Sequence, residues 1–144
     1  MIQRIQTVWL LVAGLLTLAT FELAFYKADL KDGVTSKMLT TVNTPNILVY
    51  MAVIVLAAIC FGAIALFKKR PLQSRLCLLG IVVSIGLLIL EDHQVDVAEA
   101  MATFSSGSWR PGIALPILII VALILAMRGI RKDQKLVKSL ERLR

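Results

Sequence analysis

No charged side chain interrupts the run from Asn46 to Phe67. The stretches Leu76 to Leu90 and Gly112 to Met127 are equally free of charge, and Thr7 to Tyr26 carries Glu22 as its one charge before Lys27. Hydrophobic residues make up 58% of the 144 positions and charged ones 17%. A soluble domain of this size has too little polar surface to cover so much apolar material, which excludes an ordinary water-facing fold. Reactive side chains are equally sparse, with one histidine and two cysteines, Cys60 and Cys77. These do not form a C-x-x-C pair. Neither a phosphate-binding glycine loop, a nucleophile elbow, an H-E-x-x-H pair nor a haem-attachment motif occurs. Four-span thiol oxidases need redox cysteine pairs facing outward, and this chain has none. No enzymatic activity, cofactor or metal is therefore expected.

What is present is hydrocarbon-compatible length. A bilayer core of about 30 Å is crossed by about 20 apolar helical residues. The chain reads as one integral membrane domain, an all-α four-helix transmembrane bundle, with spans at about 7–26, 46–67, 72–90 and 112–128. Thr44 and Pro45 are placed to serve as N-cap and first helical residue of the second span. The third reaches sufficient length if it starts near Pro71 and Arg75 snorkels to the headgroups. Pro116 falls in the first turn of the fourth, where a missing N–H matters least. Trp9, Tyr26, Tyr50 and Trp109 stand near span ends, the depth amphipathic rings prefer. The first segment has too long an apolar core for a cleaved signal peptide and is expected to be retained. Cys60 falls mid-span and Cys77 near a span end, too different in depth for a disulfide.

Orientation follows from where lysine and arginine sit. Arg4, the loop 68–71 with Arg75, and the tail 129–144 with Arg128 hold 12 of the 16 basic residues. The opposite loops, 27–45 and 91–111, hold only Lys27, Lys31, Lys37 and Arg110, with six of the nine acids. This asymmetry predicts both termini in the cytoplasm. If the chain is bacterial, the side opposite the termini is the periplasm.

Asp32-Gly33 in the first outward loop is a two-residue turn signal, and it predicts a short hairpin at the membrane surface. In the second, Val97, Met101 and Phe104 recur at helical spacing, so the third helix is expected to continue as an acidic amphipathic segment. Ser105-Ser106-Gly107-Ser108 would then break it. Leu136, Val137, Leu140 and Leu143 form an apolar stripe in the tail, flanked by basic residues, which predicts a cytoplasmic amphipathic helix. That helix either extends the fourth span or lies along the headgroups.

Met1-Ile2-Gln3-Arg4-Ile5-Gln6-Thr7 opens straight into a span. Arg110-Pro111-Gly112 enters the last one, and the chain closes on the basic run from Ile130 to Arg144. In these features the chain resembles a family of small four-span proteins of Bacteroidota catalogued as domain of unknown function 4293. The resemblance implies a four-span architecture and an inner-membrane location. It brings no assigned activity and no defined functional residues.

Candidate residues fall into three groups. Glu22 is the intramembrane ionisable residue, costly at a helix centre but here about 6 Å from the span's outer end at ~1.5 Å per residue. Ala58 with Gly62, and Gly80 with Ser84, are small-xxx-small pairs that let helix backbones approach, within the monomer or against another subunit. In the tail, Arg128, Arg131, Lys132, Lys135, Lys138, Arg142 and Arg144, with Leu136, Leu140 and Leu143, are candidate contacts for anionic lipid or a protein partner. No aromatic interleaving accompanies this charge, so nucleic acid is not an expected partner. Glu91, Asp92, His93 and Asp96 read as a solvated acidic face rather than a metal site. The expected role is a non-catalytic accessory or structural subunit of a larger inner-membrane complex for export, envelope assembly or respiration. The alternative is a small oligomeric transporter coupling ions through Glu22, since small four-span multidrug exporters carry a glutamate in their first helix. Those that dimerise antiparallel need a weak charge bias, which this chain lacks.

Overall fold

Buried positions recur along the first three helices with alternating steps of four and three residues, and along the fourth with steps of four, three, four and four, the spacing of a packed helix–helix seam. This is seen in a computed structural model that describes residues 2–30, 36–43, 46–67, 69–100 and 104–142. Helix α1 (Ile2–Glu22) buries Gln6, Leu10, Ala13, Thr17 and Thr20. Helix α2 (Ile47–Ala65) buries Val49, Val53, Leu56, Cys60 and Ala63. Helix α3 (Arg70–Ala100) buries Gln73, Cys77, Gly80, Ser84, Leu87, Glu91, Gln94 and Ala98. Helix α4 (Ala114–Arg142) buries Leu115, Ile119, Ala122, Ala126 and Ile130.

The outer faces are no less apolar. Leu11, Leu15, Val55, Val82, Ile89 and Val121 all point away from the bundle. Meanwhile the seams hold polar groups such as Gln6, Thr17, Gln73 and Ser84. This inverted arrangement suits a bundle whose outer solvent is lipid, where interior polar groups bond to helix carbonyls. Thr17 Oγ1 donates to Ala13 O at 2.8 Å, Ser84 Oγ to Gly80 O at 2.8 Å, and Gln73 Nε2 to Ala63 O at 3.0 Å. Each of the four helices is long and apolar enough to cross a membrane.

Consecutive helices pack against one another, and α4 closes the ring on α1. Gln6, near the start of α1, lies against Gly129, just past the middle of α4. At the other end, Gly112 N, just ahead of α4, donates to Ala24 O, just past α1. The two helices are therefore antiparallel, and both chain ends lie at the same end of the bundle.

The opposite end carries an antiparallel sheet in the order β2-β1-β3, with β1 (Tyr26–Leu30), β2 (Ser36–Leu39) and β3 (Phe104–Trp109). Tyr26 pairs with Leu39 on one side and with Trp109 on the other. The Asp32-Gly33 turn lies outside the described residues, as do Thr44 and Pro45. The N-cap of α2 is Asn46, two residues later than Thr44, the cap that the Thr44-Pro45 pair suggested. Its Oδ1 accepts from Leu48 N at 2.9 Å, satisfying one of the orphan donors of the first turn.

In the second outward segment α3 continues as expected, but it buries a different face and the serine run is a strand. Helix α3 has 31 residues, about 46 Å at ~1.5 Å each, and so projects past a bilayer core of about 30 Å. Its buried face there is Glu91, Gln94, Val95 and Ala98, while Val97 is exposed. Met101 lies outside the described residues, and Phe104 opens a strand. Ser105 to Ser108, expected as a helix-breaking loop, form the middle of β3. Pairing with β1 overrides their weak strand propensity. The projecting turns of α3 and the inner face of the sheet share a second apolar cluster of Phe25, Tyr26, Ala28, Leu39, Val95 and Ala98.

Candidate functional sites at the two ends of the bundle

At the sheet end, Tyr26 is the centre of a small network. Its ring makes an edge-to-face contact with Trp109, centroids 5.3 Å apart. Its hydroxyl donates to the Glu99 carboxylate on the projecting part of α3. That hydrogen bond, reinforced by burial, pushes the Tyr26 phenol up to about 12. The ring lies across Gly107 in β3, where any β-carbon would collide with it. Absence of a side chain at Gly107 thus lets the tyrosine reach Glu99. On β1, Lys27 Nζ pairs with Asp29 Oδ1 at 3.1 Å.

The Arg110-Pro111-Gly112 motif docks on the end of α1. Arg110 N donates to Phe25 O at 3.0 Å and Gly112 N to Ala24 O at 3.1 Å. A short 3-10 turn, Pro111–Ile113, then leads into α4. The glycine is required by proximity, since a β-carbon there would stand 2.4 Å from Ala24 O.

The acidic run is split by the helix. Glu91 turns inward and is 1% exposed, with Oε2 lacking a hydrogen-bond partner among the described residues. Asp92, His93 and Asp96 face outward. The expectation of one solvated acidic face thus fails for Glu91, which continues the seam of Ser84 and Leu87. Among the described residues, no three His, Cys, Asp or Glu side chains are grouped to hold a metal. Glu22 is the last residue of α1 and is exposed at the rim of the bundle. Cys60 and Cys77 are free thiols in the core.

The small-residue pairs face different ways. Gly80 and Ser84 lie inside the bundle, where a β-carbon on Gly80 would meet Leu123 Cδ1 at 3.0 Å and Ile59 Cγ2 at 3.4 Å. Ala58 is exposed on the outer face of α2, and a β-carbon on Gly62 would meet nothing within 4 Å.

At the end holding the termini, α4 runs unbroken from the fourth span to Arg142. Arg128, Arg131, Lys132, Lys135 and Leu136 are exposed on it. The side chains of Lys138, Leu140 and Arg142, and all of Leu143 and Arg144, lie outside what is described. Asp133 Oδ2 pairs with Arg70 Nη2 at 3.3 Å, tying the tail to the first turn of α3. Gly129 accommodates Gln6, whose Cγ would stand 2.8 Å from a β-carbon there. Beside this contact lies a pocket of about 220 Å³ lined by Ile5, Gln6, Trp9, Leu125, Gly129 and Lys132.

Sequence reasoning missed Gln6, Gly129, Asp133 and Glu91 as structural participants. The signal for Gln6 and Glu91 was their place on the four-three buried spacing. Arg70 and Asp133 carry none, because their meeting depends on how α4 folds back beside α3.

No curated protein and no solved structure matches this sequence. The family described as Domain of unknown function (DUF4293) matches residues 2–143. The match takes in the opening residues, the Arg110-Pro111-Gly112 corner and the basic tail, each of which forms a contact described above. The chain therefore belongs to the DUF4293 family, as a membrane protein with four transmembrane helices.

Proposed function

We propose that the chain is a non-catalytic accessory or structural subunit of a larger complex in the inner membrane of a bacterium of the Bacteroidota. Both termini are then cytoplasmic and the sheet is outward. The observation that carries this reading is the filled interior. Leu10, Leu56, Leu87, Ile119 and Leu123 are wholly buried along the length of the bundle. Close packing of these side chains suits a structural subunit, and it leaves distinctive groups at the two ends. The charge distribution supports the orientation. The exposed Ala58 and the open space beside Gly62 on α2 support contact with a neighbouring membrane helix. Export, envelope assembly and respiration are the processes whose inner-membrane complexes suit such a subunit.

The test is purification of the tagged chain from its native membrane in a mild detergent, followed by mass spectrometry. A stoichiometric membrane protein partner is expected, and its binding should weaken in Gly62→Leu. Isolation of the chain with no such partner would overturn the reading. A topology reporter fused after Arg144 should be active only in the cytoplasm.

A further inference from the structure

We infer that the pocket between the start of α1 and the cytoplasmic extension of α4 is a binding site for the phosphate headgroup of an anionic phospholipid. Its walls divide by chemistry. Ile5, Trp9 and Leu125 supply an apolar side, and Lys132 supplies a cation at the mouth. The Gln6 side chain, 5% exposed, lines the same pocket, and its Nε2 is buried with no hydrogen-bond partner among the described residues. A buried amide donor without an acceptor is costly, and it marks a place where an acceptor belongs. Among the described residues no carboxylate lines the pocket, and Asp133, next to Lys132 in sequence, pairs with Arg70. The polar side of the site therefore favours a negatively charged acceptor.

The depth is that of a headgroup. Trp9 is a ring of the interfacial type, and the helices beyond it enter the apolar part of the bundle. Arg128, Lys132 and Lys135 recur along one face of α4 at steps of four and three, so positive charge continues from the pocket along the tail. At about 220 Å³ the pocket is smaller than the ~300–1,000 Å³ of sites that enclose drug-sized ligands. It takes a headgroup and the first part of a chain, with the remaining hydrocarbon left against the outer faces of α1 and α4. Gly129 helps shape the floor, since a side chain there would displace Gln6. The start of α1 and the middle of α4 thus converge on one amphipathic pocket. The inference rests on the helices lying in lipid and not on a role in a complex, so failure to find a protein partner leaves it standing.

The test is native mass spectrometry of the full chain in detergent micelles titrated with phosphatidylglycerol, phosphatidylcholine or inorganic phosphate. One phosphatidylglycerol per chain should be retained in preference to phosphatidylcholine. Lys132→Gln should weaken that binding about fivefold, the effect of one basic residue near an anionic surface. Lys135→Gln, exposed on the same helix but outside the pocket, should weaken it less than Lys132→Gln does. Gln6→Leu should weaken it as well. If Gln6→Leu does not fold, the comparison of the two exposed lysines decides alone. Equal losses in Lys132→Gln and Lys135→Gln would mean diffuse attraction and overturn the inference. So would equal retention of the two lipids, or inorganic phosphate competing as effectively as phosphatidylglycerol. In a Trp109→Phe background, Trp9 fluorescence should change on addition of phosphatidylglycerol, and an unchanged spectrum at saturating lipid would also overturn it.

Discussion

Gly112 sits against Ala24 so closely that a β-carbon on the glycine would lie 2.4 Å from the alanine carbonyl oxygen. The neighbouring atoms are backbone and cannot rotate away. Gly112→Ala should therefore destabilise the protein by about 3 kcal/mol, the upper end of overpacking costs. Gly62→Ala should be neutral or stabilise by up to ~1 kcal/mol through helix propensity, because nothing lies within 4 Å of the added carbon. Thermal unfolding in detergent, followed by circular dichroism, compares the two directly.

The tail is held to α3 by Arg70 and Asp133, whose side chains are 27% and 14% exposed. Loss of one partner should cost between the ~0.5 kcal/mol of an exposed pair and the ~3 kcal/mol of a buried one. Asp133→Asn should loosen the last turns of α4, seen as faster amide hydrogen exchange after Ile130 with little change in the transmembrane core. The double exchange Arg70→Asp with Asp133→Arg should restore protection.

Tyr26 should titrate late. Its phenol is raised to about 12 from the ordinary 10.0, first by donating to Glu99 and then by burial. A raised value means the folded state favours the protonated form. The stabilisation is fully present below pH 10 and declines as pH rises through the window from about 10 to about 12. Phenolate absorbance should reveal a late component that disappears in Tyr26→Phe. The same substitution should loosen the contact of α3 with β1 at neutral pH.

Glu91 carries a buried oxygen with no hydrogen-bond partner among the described residues. Replacing such a group with an apolar side chain of similar size is neutral or favourable. Glu91→Met should raise thermal stability by about 1–3 kcal/mol, read from the unfolding midpoint in detergent. A fall of that size would show that the carboxyl makes an interaction the packing does not reveal.

The four apolar helices were legible because lipid imposes a length and a composition that few other environments tolerate. Their ends were less so. Asn46 displaced Thr44 as the cap of α2 through a single side-chain hydrogen bond, a choice between neighbouring residues of similar preference. Strand β3 was illegible for a stronger reason. Ser105 to Ser108 lack strand-forming side chains, and their conformation comes from β1, far earlier in the chain. The same distance hid Tyr26 over Gly107, and Gln6 beside Gly129. The inward placement of Glu91 could have been read, because it continues the spacing of Gln73, Cys77, Gly80, Ser84 and Leu87. Reading the acids together as a charged patch obscured that periodicity.

The order of strands has a consequence for biogenesis. Strands β1 and β2 are made early, but β3 is synthesised only after α3, and it pairs with the middle strand rather than extending the edge in sequence order. A nascent chain that has inserted its first two helices therefore holds one side of β1 open at the membrane surface until the second helical pair delivers β3. Closure of that small sheet joins the two halves, and truncation before residue 104 should yield an inserted product that proteases still cleave between α1 and α2.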